Sequence, residues 1–340
     1  MAIAPHLTTK MPAIASIRAS VLKPLVNYVE RKTGKVDILL AEHGLLRSQM
    51  EDLYATVPMA RYIAFFEAAA EVVRDPFLGA RMGQAMTPGD LGPIGILYSL
   101  SPTLRTAFQR LSKYVNALQG GTASGLFEEN GDVVWTYRLL DPALWPRRQD
   151  NEFSLAVACQ IARACFGKGW RPLEVHFEHA APRGAETLQR ILRAPVLFGQ
   201  SGNRLVIARD DADRPHRPED RSLTAILERH VADLSPETDL SPSLTEKVMA
   251  LIGIYLGHKP VTLAVVAAEL KTSPRTLQRR LAEEGVSLRQ LVQRHRRQMA
   301  ELHLGHGASS RQFVAQSLGY ADTTVLWRAR RRWDRQDGRA

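Results

Sequence analysis

Residues 262–333 are divided into short helical stretches by residues that start or stop a helix, which limits what this segment can fold into. Thr262 can cap an apolar run, and Ser273-Pro274 joins a cap residue to a proline at the first helical position. Gly285 then ends the pattern. The spacing therefore predicts a pair of short helices over about residues 262–283.

A longer helix follows over about residues 287–304, and its apolar stripe includes His295. After it, a second pair of helices is expected over about residues 310–333, with its turn at Gly319-Tyr320. The segment thus predicts an all-α domain of two tandem helix-turn-helix units joined by a linker helix.

The positive charge of the chain is concentrated in the same region. Residues 241–340 contain 17 Lys and Arg against 8 Asp and Glu, a balance of +9, whereas the first 240 residues carry a balance of +1. A basic field attracts a polyanion, and neutralising phosphates gives affinity for DNA of any sequence. A solvated basic surface that only keeps the protein soluble is the alternative, and the residue order favours DNA.

The second helix of the first pair has an apolar back and a polar front. Leu277 and Leu281 lie four residues apart and mark the buried face. The side chains expected to face away from them and read bases are Arg275, Gln278 and Arg279. Arginine can pair bidentately with guanine and glutamine with adenine. Arg280 lies near the apolar edge, so we expect it to contact phosphate or to pack through its stem.

The corresponding helix of the second pair is more basic and less regular. Its expected DNA-contacting residues are Thr323, Thr324, Arg328 and Arg331. Arg330 interrupts the apolar stripe that Leu326 and Trp333 define, and five arginines between positions 328 and 335 suit phosphate contacts. We therefore expect the second pair to contribute less sequence specificity than the first.

The combined order of these residues resembles the two helix-turn-helix signatures of the AraC/XylS family of bacterial transcription regulators. The segments that carry the resemblance are SPRTLQRRL at 273–281 and LGYADTTVLWRA at 318–329, and Arg296, Ala300 and Leu304 fit the family's linker helix. The resemblance covers about residues 243–333. Two departures are Arg330, where the family usually has Phe, and the residues after Trp333, which lack the Thr-Gly and last short helix of the family. We expect looser packing of the second unit for that reason.

The composition of the whole chain is that of an ordinary globular protein. Of the 340 residues, 45% are hydrophobic and 24% charged, and the length suits two domains. No apolar run approaches the ~20 residues of a membrane span, and the N-terminus lacks a compact apolar signal region. Cys159 and Cys165 fall in one predicted helix and are expected to be buried thiols. We expect a cytoplasmic protein without a membrane partner.

The first part of the chain is expected to be helical from about residue 15 to residue 118. The clearest helix covers Tyr62 to Val73, and another is expected to start with Ser101 as cap and Pro102 at its first position. The turn Asn130-Gly131-Asp132 then indicates a hairpin, with a strand over residues 133–140.

Further elements are predicted between that strand and the C-terminal segment. They are a helix over 151–166, a strand over 173–178, a helix over 186–192 and strands over 195–198 and 204–208. We therefore expect an α+β domain over residues 1–233, with helices followed by a small mixed sheet. A linker over 234–243 and a DNA-binding domain over 244–340 complete the predicted organisation.

This first domain resembles the ligand-binding domain of AraC/XylS regulators in the branch that includes the ornithine- and arginine-utilisation regulators. The motifs that carry the resemblance are PGDLG at 88–92, SPTL at 101–104, LDP at 140–142, RQD at 148–150 and FGQ at 198–200. The resemblance implies an effector-binding or dimerisation domain. It does not imply that arabinose is the ligand.

Two patterns that suggest a metal or phosphate site are better explained by ordinary structure. In a strand, Val175 and Phe177 would face inward while His176 and Glu178 face solvent, and this pattern lacks the helical spacing of zinc enzymes. The glycines at 89–92 follow no predicted strand and lack a lysine. No order of Ser, His, Asp or Cys indicates an active site, so we expect no catalytic residue, metal or cofactor.

Together these observations predict a transcription regulator, an activator, that binds specific double-stranded DNA and responds to a small organic effector. We expect the effector pocket between the N-terminal helices and the sheet. A homodimer is expected because two half-sites read together multiply a weak affinity, and RNA polymerase would be a further partner. An enzyme with an accessory nucleic-acid domain and a purely architectural DNA binder are the alternatives.

Overall fold

The computed structural model describes residues 15–52, 54–234, 243–257, 260–305 and 311–336. Its helices, in chain order, are α1 (Lys23–Thr33), α2 (Val36–Glu42), α3 (Met59–Val72), α4 (Leu78–Gln84), α5 (Pro93–Ser99), α6 (Leu104–Leu118), α7 (Arg148–Phe166), α8 (Glu186–Leu192), α9 (Arg209–Asp213), α10 (Arg221–Asp233), α11 (Leu244–Tyr255), α12 (Leu263–Glu269), α13 (Pro274–Glu283), α14 (Leu288–Gly305), α15 (Arg311–Ser317) and α16 (Thr323–Gln336). Its strands are β1 (Ser16–Arg18), β2 (Thr56–Pro58), β3 (Thr122–Glu129), β4 (Asp132–Leu139), β5 (Glu174–His176), β6 (Val196–Leu197) and β7 (Asn203–Ile207). The chain is therefore helices, then a mixed sheet, then a largely helical C-terminal region.

The main sheet has five strands in the order β3-β4-β7-β5-β6. Its pairs are antiparallel except for β5 and β6, which run parallel. The β3–β4 hairpin turns at Asn130 and Gly131, both with positive φ, as a tight hairpin of this hand requires. Strands β1 and β2 form a separate antiparallel pair.

Helix α7 is the centre of the N-terminal core. Most of its side chains are buried, and α4 packs against it at very short range. A Cβ at Gly79 would lie 2.1 Å from the Gln149 carbonyl oxygen, and one at Gly83 would lie 2.5 Å from the Phe153 carbonyl oxygen. Only glycine allows the two backbones to approach so closely.

The C-terminal helices enclose two further apolar clusters. The first joins α11, α12, α13 and the start of α14, and the second joins the end of α14 to α15 and α16. The four helices predicted for residues 262–333, and the longer helix between the pairs, are present with bounds close to those expected. None of the helices that the structure describes is long and apolar enough to cross a membrane.

Several elements of the N-terminal region match the sequence prediction, and others differ. Helix α8 has the predicted bounds, and α3 starts three residues earlier than expected. Ser101 does not cap α6, because the cap is Thr103, whose side chain accepts a hydrogen bond from the Thr106 amide. Ser101 is instead buried and donates to the Leu97 carbonyl oxygen. The proline at position 102 therefore lies before the helix.

The strand predicted over residues 173–178 ends at His176, and this changes the environment of the residues after it. The prediction that Glu178 faces solvent is wrong, because Glu178 is completely buried and paired with Arg147. The alternation of a strand no longer applies once the chain leaves the sheet. Val175 and Phe177 are buried as predicted.

The two cysteines both lie in α7 and differ in exposure. Cys159 is buried, and burial raises the pKa of its thiol to about 12. Cys165 is only half-buried. Most of the predicted linker, residues 235–242, lies outside the described residues, so the domain bounds stay a prediction.

Candidate nucleic-acid interface

The first helix pair, α12 and α13, is built by local hydrogen bonds at its ends. The Thr262 side chain accepts from the Val265 amide at 3.3 Å, and the Ser273 side chain accepts from the Thr276 amide at 3.1 Å. Lys271 adopts a left-handed conformation between the helices, and Gly285 does so after α13. These contacts fix where each helix starts and ends.

Helix α13 presents a polar face to solvent and an apolar face to the core. Leu277 and Leu281 are buried, as the spacing predicted. The four residues expected to contact DNA are exposed: Arg275, Gln278, Arg279 and Arg280. Arg279 also donates to the Glu283 carboxylate at 3.2 Å, one turn further along the helix. The guanidinium is therefore held on the outer surface, where a nucleic acid can replace the carboxylate.

The second helix pair, α15 and α16, has a comparable arrangement. Asp322 accepts hydrogen bonds from the amides of Thr324 at 2.7 Å and Val325 at 2.9 Å, and these bonds lower the pKa of its carboxyl group. Leu326 and Trp333 are buried. The expected contact residues are all exposed: Thr323, Thr324, Arg328 and Arg331.

Arg330 lies on the apolar stripe of α16 but keeps its charge at the surface. The residue is half-buried, and its guanidinium carbon lies 5.4 Å from the centroid of the Trp327 ring. Arg311 approaches the same ring at 5.9 Å. The arginine thus stacks on an exposed aromatic ring instead of filling the core.

Arg296 on α14 connects the longer helix to the second pair. Its Nε donates to the Leu318 carbonyl oxygen at 2.9 Å, and its Nη2 donates to the Gly319 carbonyl oxygen at 3.3 Å. The guanidinium also lies over the Tyr320 ring, 4.6 Å from the centroid. These contacts give Arg296 a structural role in joining α14 to the second helix pair.

Arg138 on β4 joins the main sheet to the C-terminal helices, a role that was not predicted from the sequence. Its Nη1 donates to the Gly253 carbonyl oxygen of α11 at 2.9 Å and lies 3.3 Å from Nε2 of His295 on α14. Its Nη2 donates to the Ser201 carbonyl oxygen at 2.9 Å. Burial lowers the pKa of the Arg138 guanidinium and also that of His295, to about 3, so the imidazole is neutral. A charged residue inside an apolar, aromatic strand is the signal that could have identified it.

A buried ion cluster lies behind this contact. Glu178 accepts from Arg147 Nε at 2.8 Å and from Asn151 Nδ2 at 2.9 Å, and Arg138 Nε lies 3.8 Å from its carboxylate. Burial alone would raise the pKa of Glu178, but the two arginines outweigh it and hold the pKa well below its usual range. The carboxylate is therefore ionised and balances two buried cations.

A large groove opens among the N-terminal helices. It has a volume of about 940 Å³ and is bounded by α1, by the turn before α5, by the end of α6 and by α10. The expected site between the helices and the main sheet is therefore not where this groove lies. Within the described residues, no group of three or more His, Cys, Asp or Glu side chains is arranged to hold a metal.

The N-terminal part of the chain matches a known protein family. Residues 34–216 match the family described as the arabinose-binding domain of AraC transcription regulator, N-term, which is more than half of the chain. The chain belongs to the AraC family of transcription regulators. It is thus a regulator of the helix-turn-helix type and not an enzyme.

Two regulators, VirS and the ornithine utilization regulator, agree with this assignment over most of their length. The chain is 27% identical over 283 residues to the HTH-type transcriptional regulator VirS of Mycobacterium tuberculosis, covering 82% of each protein. It is 24% identical over 310 residues to the ornithine utilization regulator of Pseudomonas aeruginosa, covering 87% of this chain and 90% of that protein. The crystal structure of the transcriptional regulator CdpR from Pseudomonas aeruginosa is 20% identical, with a TM-score of 0.44 over 92% of this chain and 95% of that one.

Proposed function

We propose that this AraC-family regulator binds specific double-stranded DNA through two tandem helix-turn-helix units, α12–α13 and α15–α16, joined by the linker helix α14. The observation that carries the proposal is the outer face of α13. It presents arginine and glutamine side chains on a short helix whose leucines are buried. Such a helix fits the major groove, and these side chains match the edges of guanine and adenine.

Within this proposal the side chains of α13 have two roles. Base reading is assigned to Arg275, Gln278 and Arg279, and phosphate contact to Arg280. Helix α16 would contact the neighbouring segment of DNA through Thr323, Thr324, Arg328 and Arg331. Because Arg330 leaves the core of that unit and stacks on Trp327, we assign less sequence specificity to α16.

The first test is binding to the DNA upstream of the protein's own gene, measured by fluorescence anisotropy at fixed salt. Arg275→Ala and Arg279→Ala should each weaken specific binding by about 1–3 kcal/mol and relax the preference at one base pair. Arg171→Ala, an exposed arginine of the N-terminal region, is the matched control and should have no effect. Unchanged affinity in both α13 variants would show that this helix does not read the operator.

The proposal extends to the N-terminal region, residues 1–233, as the sensor of a small organic effector in a cytoplasmic activator. The relative named for ornithine utilization supports a small metabolite as the signal. Homodimerisation is part of the proposal because two half-sites bound together multiply a weak affinity, and contact with RNA polymerase would follow from activation. A ligand that changes operator affinity, and sedimentation of the protein as a dimer, are the measurements that test these points.

A further inference from the structure

The large groove of the N-terminal region has the size and lining of a small-molecule site. Its volume of about 940 Å³ lies within the usual range of about 300–1,000 Å³ for ligand pockets. The apolar part of its lining includes Met82, Leu91, Leu118 and Leu227. An organic molecule could bury most of its surface there.

The charged side chains that line the groove are mainly cationic. Arg18, Lys23 and Arg31 line it, together with the single carboxylate of Asp90. Lys23 is already paired with the Glu51 carboxylate at 2.8 Å, so the free positive charge comes from the arginines. Asp90 is already used, because one of its oxygens accepts from both the amide and the hydroxyl of Thr87 at 2.7 Å. The groove therefore offers positive charge beside an apolar surface, the complement of an organic anion.

Arg18 is the cation best placed to bind that anion. Its hydrogen bonds go to the carbonyl oxygens of Ala117 at 3.4 Å, Tyr54 at 2.6 Å and Leu234 at 2.9 Å. Its guanidinium carbon lies 5.6 Å from the centroid of the Tyr54 ring. Neutral carbonyl groups are weaker partners for a guanidinium than a carboxylate, which can accept two parallel hydrogen bonds from it.

We propose that this groove is the effector site and that it takes an organic acid, with the carboxylate on Arg18 and an apolar body along Met82, Leu91 and Leu227. The assignment rests on the proposed function, since it names the effector class of the same regulator. A free amine would meet Arg18 and Arg31 with like charge, and a neutral molecule would leave the Arg18 guanidinium with only its carbonyl partners.

The same arginine holds the residue at the end of α10. Leu234 directly follows α10 and precedes the segment that leads to α11. A carboxylate that draws Arg18 toward itself competes with the Leu234 carbonyl oxygen for the guanidinium. Effector binding would therefore release the end of α10, and we expect this release to change operator affinity.

The test is isothermal titration of the full-length protein with octanoate and 3-phenylpropionate, compared with octanamide and octylamine. The two acids should bind and the amide and amine should not at the same concentration. Arg18→Gln should weaken acid binding by about tenfold or more, because the charge partner is lost. Arg171→Gln is the matched control and should bind like the wild type.

A second pair of variants keeps the test decisive if Arg18→Gln fails to fold. Ala85 lines the groove and is exposed, so Ala85→Trp should fill the apolar part and abolish binding. Ala41→Trp changes an exposed alanine of α2 outside the groove and should bind normally. Acids that bind no better than octanamide, or that bind Ala85→Trp unchanged, would overturn the assignment.

Binding to the upstream DNA separates this assignment from the proposed function. In the wild type, octanoate should change DNA affinity by about fivefold or more, and in Ala85→Trp it should not. If the ligand-free protein binds that DNA but no acid binds, only the effector assignment fails. If the protein binds no DNA, the proposed function fails. Acid binding without any change in DNA affinity would overturn the regulatory role of the groove.

Discussion

Replacing Glu178 with glutamine is expected to be among the most destabilising conservative changes available in this protein. The side chain is 0% exposed, and the arginines it balances are almost as deeply buried, with Arg147 at 1% and Arg138 at 5%. The amide of glutamine keeps the shape and can still accept from Asn151. It removes the negative charge, so two buried guanidinium groups are left without a counter-charge.

The expected loss of stability in Glu178→Gln follows from the geometry of the cluster. Breaking a buried ion pair by removing one partner costs about 3–5 kcal/mol, because the remaining charge is desolvated and uncompensated. Here the carboxylate faces two cations, Arg147 at 2.8 Å and Arg138 at 3.8 Å, so the upper half of that range is expected. For a region of this size, about 4 kcal/mol corresponds to a fall in melting temperature of about 8–16 °C.

The assay is urea unfolding of the full-length protein, followed by tryptophan fluorescence, beside the matched variant Glu51→Gln. Glu51 pairs with Lys23 at 2.8 Å, but both side chains are largely exposed, so its loss should cost at most about 1 kcal/mol. Adding Arg147→Met to Glu178→Gln should recover part of the loss, since one buried cation disappears with the carboxylate. Equal effects of Glu178→Gln and Glu51→Gln would refute the view that Glu178 is the counter-charge of the cluster.

Three further outcomes follow from the structure. The double variant Arg328→Ala, Arg331→Ala should weaken binding to all DNA sequences almost equally. The slope of log affinity against log salt concentration should fall by about one for each lost phosphate contact. A loss of affinity confined to one operator would mean that α16 reads bases. The pKa of His295 in the folded protein, about 3, lies below its unfolded value. The stability that the neutral imidazole contributes is therefore present above about pH 6.5 and is lost as the pH falls. In urea unfolding, His295→Asn should lose less stability relative to the wild type at pH 5 than at pH 7. Burial raises the pKa of Glu152 to about 7, so the stability that its protonated form contributes is present below about pH 4 and is lost as the pH rises toward 7. The stability of Glu152→Gln relative to the wild type should therefore increase between those pH values. A stability difference that stays constant with pH would exclude this titration.

Local signals in the sequence predicted the elements whose ends are fixed by neighbouring residues. The Ser273-Pro274 start of α13 and the Asn130-Gly131 hairpin turn are formed by contacts within a few residues, and both are present. The choice of Ser101 over Thr103 as cap failed because Ser101 is held by the Leu97 carbonyl oxygen and by Arg110, nine residues away. Tertiary contacts decided between two residues that are both capable of capping.

The buried ion cluster could not be predicted, because its members are distant in sequence. Glu178 and Arg147 lie 31 positions apart, and Arg138 and His295 lie 157 apart. Periodicity describes which face of an element is apolar, and it carries no information about which charged residue meets another in the core. The position of the groove was missed for the same reason, since it is formed by α1, α10 and the turn before α5.

The hydrogen bond of Arg138 to the C-terminal helices has a free energy that the binding of a small ligand can offset. The contact of Arg138 with these helices includes a charge-assisted hydrogen bond to Gly253 and contacts with His295 and Met299. Beside it lies an apolar cluster of Ala123, Ile254 and Tyr255, against which Phe127 and neighbouring residues pack. A hydrogen bond to a charged group contributes about 1.5–3 kcal/mol, and a hundredfold difference in ligand affinity between two arrangements corresponds to about 2.8 kcal/mol. Because a ligand shifts an equilibrium only by its differential affinity, the free energy of the Arg138 hydrogen bond lies within what the proposed effector can oppose.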